Sequence, residues 1–176
     1  MPIKTVFAGF GGQGILSMGL NLAQAAMLEG KCVTYLPAYG AEMRGGTANC
    51  TVAISDEEIA SPVASSPSFL VAMNWPSLVR FQNQVKSGGV SLINSSLMEA
   101  NISREDIDIV EVPANELAEE LGNLKCANMV MLGAFTKKSN VVSLPTLIEG
   151  LEVSFKKKQK LIALNAKALT NGYELF

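Results

Sequence analysis

The chain has 176 residues, 48% apolar and 17% charged, with a formal net charge of −2. That length is ample for one domain with a real core, and the charge leaves no basic footprint for a nucleic acid. Histidine is absent, and the three cysteines (Cys32, Cys50 and Cys126) lie far apart in the sequence. The commonest general base, the Ser-His and Cys-His nucleophile pairs, and any zinc or iron–sulfur ligand set are therefore excluded. No apolar run reaches membrane-spanning length, so no membrane insertion is expected. The first residues do not have a signal-peptide layout, which makes the cytoplasm the expected compartment. So low a charged fraction also predicts apolar surface that another chain covers.

The first predicted element is a short apolar strand, Ile3 to Ala8. It runs into Gly9, Phe10, Gly11, Gly12, Gln13 and Gly14, and a helical pattern follows from Ile15 to about Glu29. A strand, a glycine turn and a helix in that order gather backbone N–H groups at a helix N-terminus, which favours anions. The glycines at 9, 11 and 14 have the dinucleotide-binding spacing. A second strand, Cys32 to Leu36, ends in Pro37 and Ala38. Neither an acidic residue for a ribose nor an arginine for a 2′-phosphate stands at its tip, which argues against NAD(P) and FAD. No Lys-Ser or Lys-Thr follows the turn, so it is not a P-loop.

A second glycine-bounded loop spans residues 37–46 and includes Tyr39, Glu42, Arg44, Gly45 and Gly46. Thr47 to Ile54 alternates as a strand, and Ser55 to Glu58 turns the chain so that Ile59 and Ala60 can pair back. Residues 61–68, with two prolines, form a connection to a buried strand, Phe69 to Met73. Pro76 starts a helix through Leu78, Val79 and Phe81. Gly88 and Gly89 turn into the strand Val90 to Ile93, and Ile107 to Val112 alternates as a strand nearer an edge. Helices are predicted over residues 115–121, 127–137 and 144–169, the last with a break near 151–156. Strands alternating with helices predict an α/β, three-layer Rossmann-like domain with a mostly parallel sheet, made mixed if the 47–54 strand pairs antiparallel. There is no linker or repeat, so residues 1–176 read as a single domain.

Both glycine loops follow strands, and ligands of open α/β sheets gather at the carboxyl ends of strands. The two loops are thus expected on one rim. Ordering Glu42 and Arg44 between glycines is costly unless they contact something, although a solvated ion pair is the plainer alternative. Gly19, Ala23 and Ala26 give the first helix one slim face, as close packing on a sheet requires. Lys156, Lys157, Lys158 and Lys160 form a basic run, read as a solvated face or as a contact for an acidic partner. Trp75 reads as a rim or interface anchor.

The two loops together, Gly-Phe-Gly-Gly-Gln-Gly at 9–14 and Tyr-Gly-Ala-Glu-Met-Arg-Gly-Gly at 39–46, resemble the gamma subunit of the 2-oxoacid:ferredoxin (or flavodoxin) oxidoreductases. Supporting likenesses are the 54–59 segment with Ser61 and Pro62, the stretch from Asn128 to Gly133, and Asn165, Ala168 and Gly172. The resemblance implies one gamma-type domain over residues 1–176. It implies a hetero-oligomer with alpha, beta and delta-type subunits and with ferredoxin or flavodoxin as acceptor. Thiamine diphosphate, Mg and iron–sulfur clusters are implied on the partner subunits, with no cofactor and no catalytic residue in this chain. CoA is the implied co-substrate. Gly9, Gly11, Gly12, Gln13, Gly14, Tyr39, Glu42, Arg44, Gly45 and Gly46 are then candidates for contacts with CoA phosphates or with partner subunits. Phe10 and Met43 resemble the 2-oxoglutarate and branched-chain 2-oxoacid groups more than the pyruvate group, and 2-oxoglutarate is the favoured substrate. The alternatives are a branched-chain 2-oxoacid or pyruvate oxidoreductase gamma subunit, a free-standing phosphate- or nucleotide-binding α/β domain, and a purely structural scaffold whose loops only pack against partners.

Overall fold

A computed structural model describes residues 1–39, 46–99, 102, 104–156 and 158–176. Six strands form one sheet in the order β2-β3-β1-β4-β5-β6. They are β1 (Ile3–Phe10), β2 (Cys32–Tyr39), β3 (Thr47–Ser55), β4 (Phe69–Ala72), β5 (Val90–Asn94) and β6 (Asp108–Val112). Strand β3 is antiparallel to both β1 and β2, whereas β1, β4, β5 and β6 run parallel. The sheet is therefore mostly parallel and mixed, with one reversed strand between β2 and β1. From β1 the chain moves toward one edge, and from β4 toward the other. The reversal of direction lies between β1 and β4, where open α/β sheets form their crevice.

Six α-helices lie among the described residues: α1 (Ile15–Leu28), α2 (Trp75–Phe81), α3 (Ala114–Glu120), α4 (Ala127–Ser139), α5 (Leu144–Phe155) and α6 (Gln159–Tyr173). Of these, α1, α2 and α4 pack on the sheet, and α3, α5 and α6 pack mainly on other helices. Alternation along β1 divides the core. Phe7 points into the larger cluster under α1 and α4, while Val6 and Ala8 join Leu70, Leu78 and Ile93 on the α2 face. Phe135 of α4 stands edge-on to Phe7 and Phe69, with centroids 5.5 and 5.4 Å away. The slim face of α1 presses against the sheet, where a Cβ on Gly19 would come within 2.4 Å of Cys50 Sγ.

Helix α4 is buried from Ala127 to Thr136 because it lies between the sheet and α6. The α4–α6 crossing is a backbone contact. A Cβ on Gly133 would stand 2.0 Å from the Leu169 carbonyl oxygen, and one on Gly172 would stand 1.9 Å from that of Val130. No side chain fits at either place, so the two glycines are mutually required.

The elements differ from the sequence expectation at several ends. Strand β2 continues through Pro37 to Tyr39, with Pro37 opposite Cys50. It is an edge strand, where a missing N–H costs no ladder bond on the open side. Ile59 and Ala60 form no strand; the chain from 56 to 68 crosses as an irregular connection. The break between α5 and α6 falls at 156–158, later than the 151–156 expected, and α6 runs on to Tyr173. Ser143 caps α5 by accepting from the Thr146 N–H, and Asn140 takes the left-handed conformation that ends α4.

At the amino ends of the parallel strands, Arg104 fastens the connection into β6. Its guanidinium donates to the Gln82 and Val85 carbonyls and grips both oxygens of Asp106. The Arg104 hydrogen bonds hold the Asp106 carboxyl down from 3.8 to about 2. A carboxyl whose pKa is lower in the folded than in the unfolded chain stabilises the fold above its unfolded pKa. That contribution fades as pH falls through the folded value. Asp106→Asn is therefore expected to lower the melting temperature slightly at neutral pH, because the pair is solvent-exposed. Melting curves of variant and wild type should converge between pH 4 and 2.

Candidate functional site

The rim is built where β1 and β4 end. Their parallel ladder closes at Ala8 and Ala72, and the Met73 N–H makes one further bond to the Ala8 carbonyl. The chain beyond Ala8 has lost its β4 neighbour and must find other partners. On the β3 side the ladder continues: Phe10 pairs with Thr47, and the Gly11 N–H donates to the Gly46 carbonyl at 2.9 Å. The second loop thus returns onto the first turn at Gly46, while Tyr39 pairs with Ala48. Glu42, Arg44 and Gly45 lie outside the described residues, as do residues 40, 41 and 43.

Within the turn, each glycine has a separate reason. Gly12 has φ +95° in open space, so its conformation alone demands glycine. Gly14 has φ +72° and stands as the N-cap of α1, and a Cβ there would come within 2.3 Å of Asn128 Nδ2. A Cβ on Gly9 would come within 2.7 Å of Gln13 Oε1. Gln13 turns inward. Its Oε1 accepts from the Phe10 N–H at 2.7 Å and from Asn74 Nδ2 at 2.8 Å, and its Nε2 donates to the Met73 carbonyl at 3.5 Å.

The N-terminus of α1 has no side-chain cap and no acidic residue in its first turn. Its leading N–H groups and its partial positive charge therefore favour an anion. Beside it opens a cleft of about 520 Å³, within the range of small-molecule sites, lined by Gly12, Gln13, Met73, Asn115, Lys125 and Asn128 among others. Lys125 is the one charged side chain among the described lining residues. Asn128 Nδ2 donates to the Gly14 carbonyl at 3.3 Å, which orients the amide, and Asn94 Nδ2 donates to Asn115 Oδ1 at 2.9 Å. The Oδ1 atoms of Asn94 and Asn128 are buried without a partner among the described residues.

Sequence reasoning passed over Asn74, Asn94, Asn115 and Asn128 as site residues. A buried asparagine in an apolar stretch is itself a signal, since such amides persist where they are bonded to something specific. Lys156, Lys158 and Lys160 of the basic run are exposed at the junction of α5 and α6 and do not line the cleft, and Lys157 lies outside the described residues. Among the described residues no three His, Cys, Asp or Glu side chains converge as metal ligands, and no helix is long and apolar enough to cross a membrane. Cys50 sits in the core, and its burial pushes the thiol up to about 12.

Fold and rim together define a doubly wound α/β module with a glycine turn at its switch point. The chain belongs to the pyruvate ferredoxin/flavodoxin oxidoreductase family, whose model matches residues 4–175. It is 42% identical over 173 residues to a ketoisovalerate oxidoreductase subunit VorA of Methanothermobacter thermautotrophicus, covering 98% of this chain and 36% of that one. It is 38% identical over 154 residues to a 2-oxoglutarate synthase subunit KorC of Methanothermobacter marburgensis, covering 84% and 83% respectively. A solved 2-oxoglutarate:ferredoxin oxidoreductase from Magnetococcus marinus, with 2-oxoglutarate, coenzyme A and succinyl-CoA bound, superposes with a TM-score of 0.91 at 28% identity. That match covers 99% of this chain and 31% of the other. The chain thus spans about a third of the length of the ketoisovalerate oxidoreductase relatives that it matches.

Two glycines with nearly equal φ separate conformation from contact. Gly30, with φ +74°, has nothing within 4 Å of an added Cβ, whereas Gly14 has Asn128. Gly30→Ala is expected to cost about 1 kcal/mol from backbone strain, and Gly14→Ala about 1–3 kcal/mol more through the Asn128 contact. Urea unfolding midpoints of the two variants measure the difference.

Proposed function

We propose that this chain, as one gamma-type domain over residues 1–176, is a subunit of a 2-oxoacid oxidoreductase that converts a 2-oxoacid, CoA and an oxidised ferredoxin or flavodoxin to acyl-CoA, CO2 and the reduced acceptor. Alpha, beta and delta-type partners carry thiamine diphosphate, Mg and the iron–sulfur clusters, and this chain carries none of these. Its own part is to bind CoA and to hold the assembly together. The observation that carries the CoA role is the uncapped α1 N-terminus beside the 520 Å³ cleft. CoA phosphates rest on the N–H groups of Gly12, Gly14 and the start of α1, within reach of Lys125, since those of Gly11 and Gln13 are donated to the Gly46 and Phe10 carbonyls. Glu42 and Arg44, which lie outside the described residues, are on this reading contacts for CoA phosphates or for a partner subunit.

The substrate is 2-oxoglutarate on this reading. The 42% identity to a ketoisovalerate oxidoreductase subunit favours a second, a branched-chain 2-oxoacid.

The complex reconstituted with its partner subunits tests both parts of the proposal. Saturating CoA is expected to slow amide hydrogen exchange across residues 11–18 of this chain, and acyl-CoA formation should be faster with 2-oxoglutarate than with ketoisovalerate. Unchanged exchange at 11–18 removes the CoA role, and the reverse preference replaces the substrate.

A further inference from the structure

We propose that Gln13 is a positioning residue, one that fixes the N–H groups of the glycine turn without touching the ligand, and that Asn74 holds it there. This rests on the CoA reading of the rim. The amide of Gln13 occupies the place that β4 vacates. Strand pairing ends at Ala8 and Ala72, yet the chain runs two residues further to Phe10 before it turns. Gln13 Oε1 accepts the Phe10 N–H, and its Nε2 points at the Met73 carbonyl, so one side chain serves a donor of the first strand and an acceptor beyond the fourth. Gly9 leaves the room for it, since a Cβ there would meet both Gln13 Oε1 and Ile15 Cδ1.

Both polar atoms of the Gln13 side chain are thereby engaged with protein. Its contribution to the cleft is to set where Gly12 and Gly14 present their backbone N–H groups. Asn74 is buried and fixed at both ends of its amide. Its Oδ1 accepts from Ser77 N–H at 3.0 Å as the cap of α2, which leaves Nδ2 to donate to Gln13 Oε1. The pair bridges the switch point with two neutral amides. A mobile turn would present the same N–H groups over a range of positions, and binding would bear the cost of ordering them.

Two substitutions test this in the reconstituted complex. Gln13→Met keeps the bulk and removes the hydrogen bonds. Asn74→Asp keeps the acceptor that caps α2 and turns the donor facing Gln13 into an oxygen. Each is expected to raise the KM for CoA, by about tenfold or more for Gln13→Met, while the KM for the 2-oxoacid holds. The double variant should be no worse than Gln13→Met alone, because both act through one bond. A KM for CoA that stays at the wild-type value, or losses that simply add, overturns the proposal. If Gln13→Met does not assemble, Asn74→Asp decides by the same two Michaelis constants. The wild-type exchange experiment keeps the two ideas apart. Protection at 11–18 with unaltered variants removes the positioning role alone, whereas no protection removes both.

Discussion

The rim depends on side-chain amides standing in for a ladder that has run out. Where β1, β4 and β5 end, backbone groups lose their neighbours, and an unpaired buried N–H or C=O is costly. Gln13, Asn74, Asn94, Asn115 and Asn128 answer this by bonding to one another and to the ends of the strands and helices. An amide offers both a donor and an acceptor and carries no charge. A belt of such groups holds its shape without ionising, in a chain that has no histidine to titrate near neutrality. The charges that the structure does bond tightly, Arg104 with Asp106 and Lys31 with Glu29, sit away from the cleft.

The second constraint is close backbone approach. Helix α4 reaches Gly14 through Asn128 at its amino end and packs Phe135 against the sheet further along. Its outer side lies against α6, where Gly133 and Gly172 let main chains meet. A larger residue at either place would push α6 outward, and the strain would pass along α4, since packed interiors transmit displacement. The stretches around Asn128–Gly133 and Asn165–Gly172, which carried part of the family likeness, are the two sides of this crossing.

Much of this was legible in the sequence. The β1–turn–α1 order, the buried run at 69–73 and the slim face of α1 each follow from local pattern, and each has its counterpart in the fold. Pattern gave less at Pro37, because whether a strand tolerates proline depends on its being at an edge, which is a property of the sheet. It gave nothing on Ile59 and Ala60, since two apolar residues after a turn pair back only if a strand is free to receive them. β3 already lies between β1 and β2. Gln13 was visible as a neutral amide in a glycine turn, but not the direction in which it points. That direction follows from where β4 stops, 59 residues later in the chain. The asparagines of the rim were hidden for the same reason: each one's partner is set by tertiary structure.

The α4–α6 crossing also bears on how the chain comes off the ribosome. Helix α4 has a polar surface on almost no side, and the segment that covers its outer strip is translated after it. While residues 159–173 are still inside the exit tunnel, Val130, Gly133 and Ala134 lack their cover and the sheet already has its strands. Translation at a few residues per second leaves that strip bare for seconds, which is the interval in which nascent chains associate wrongly or meet a chaperone. The close α4–α6 contact is therefore made only after every other described element has been translated.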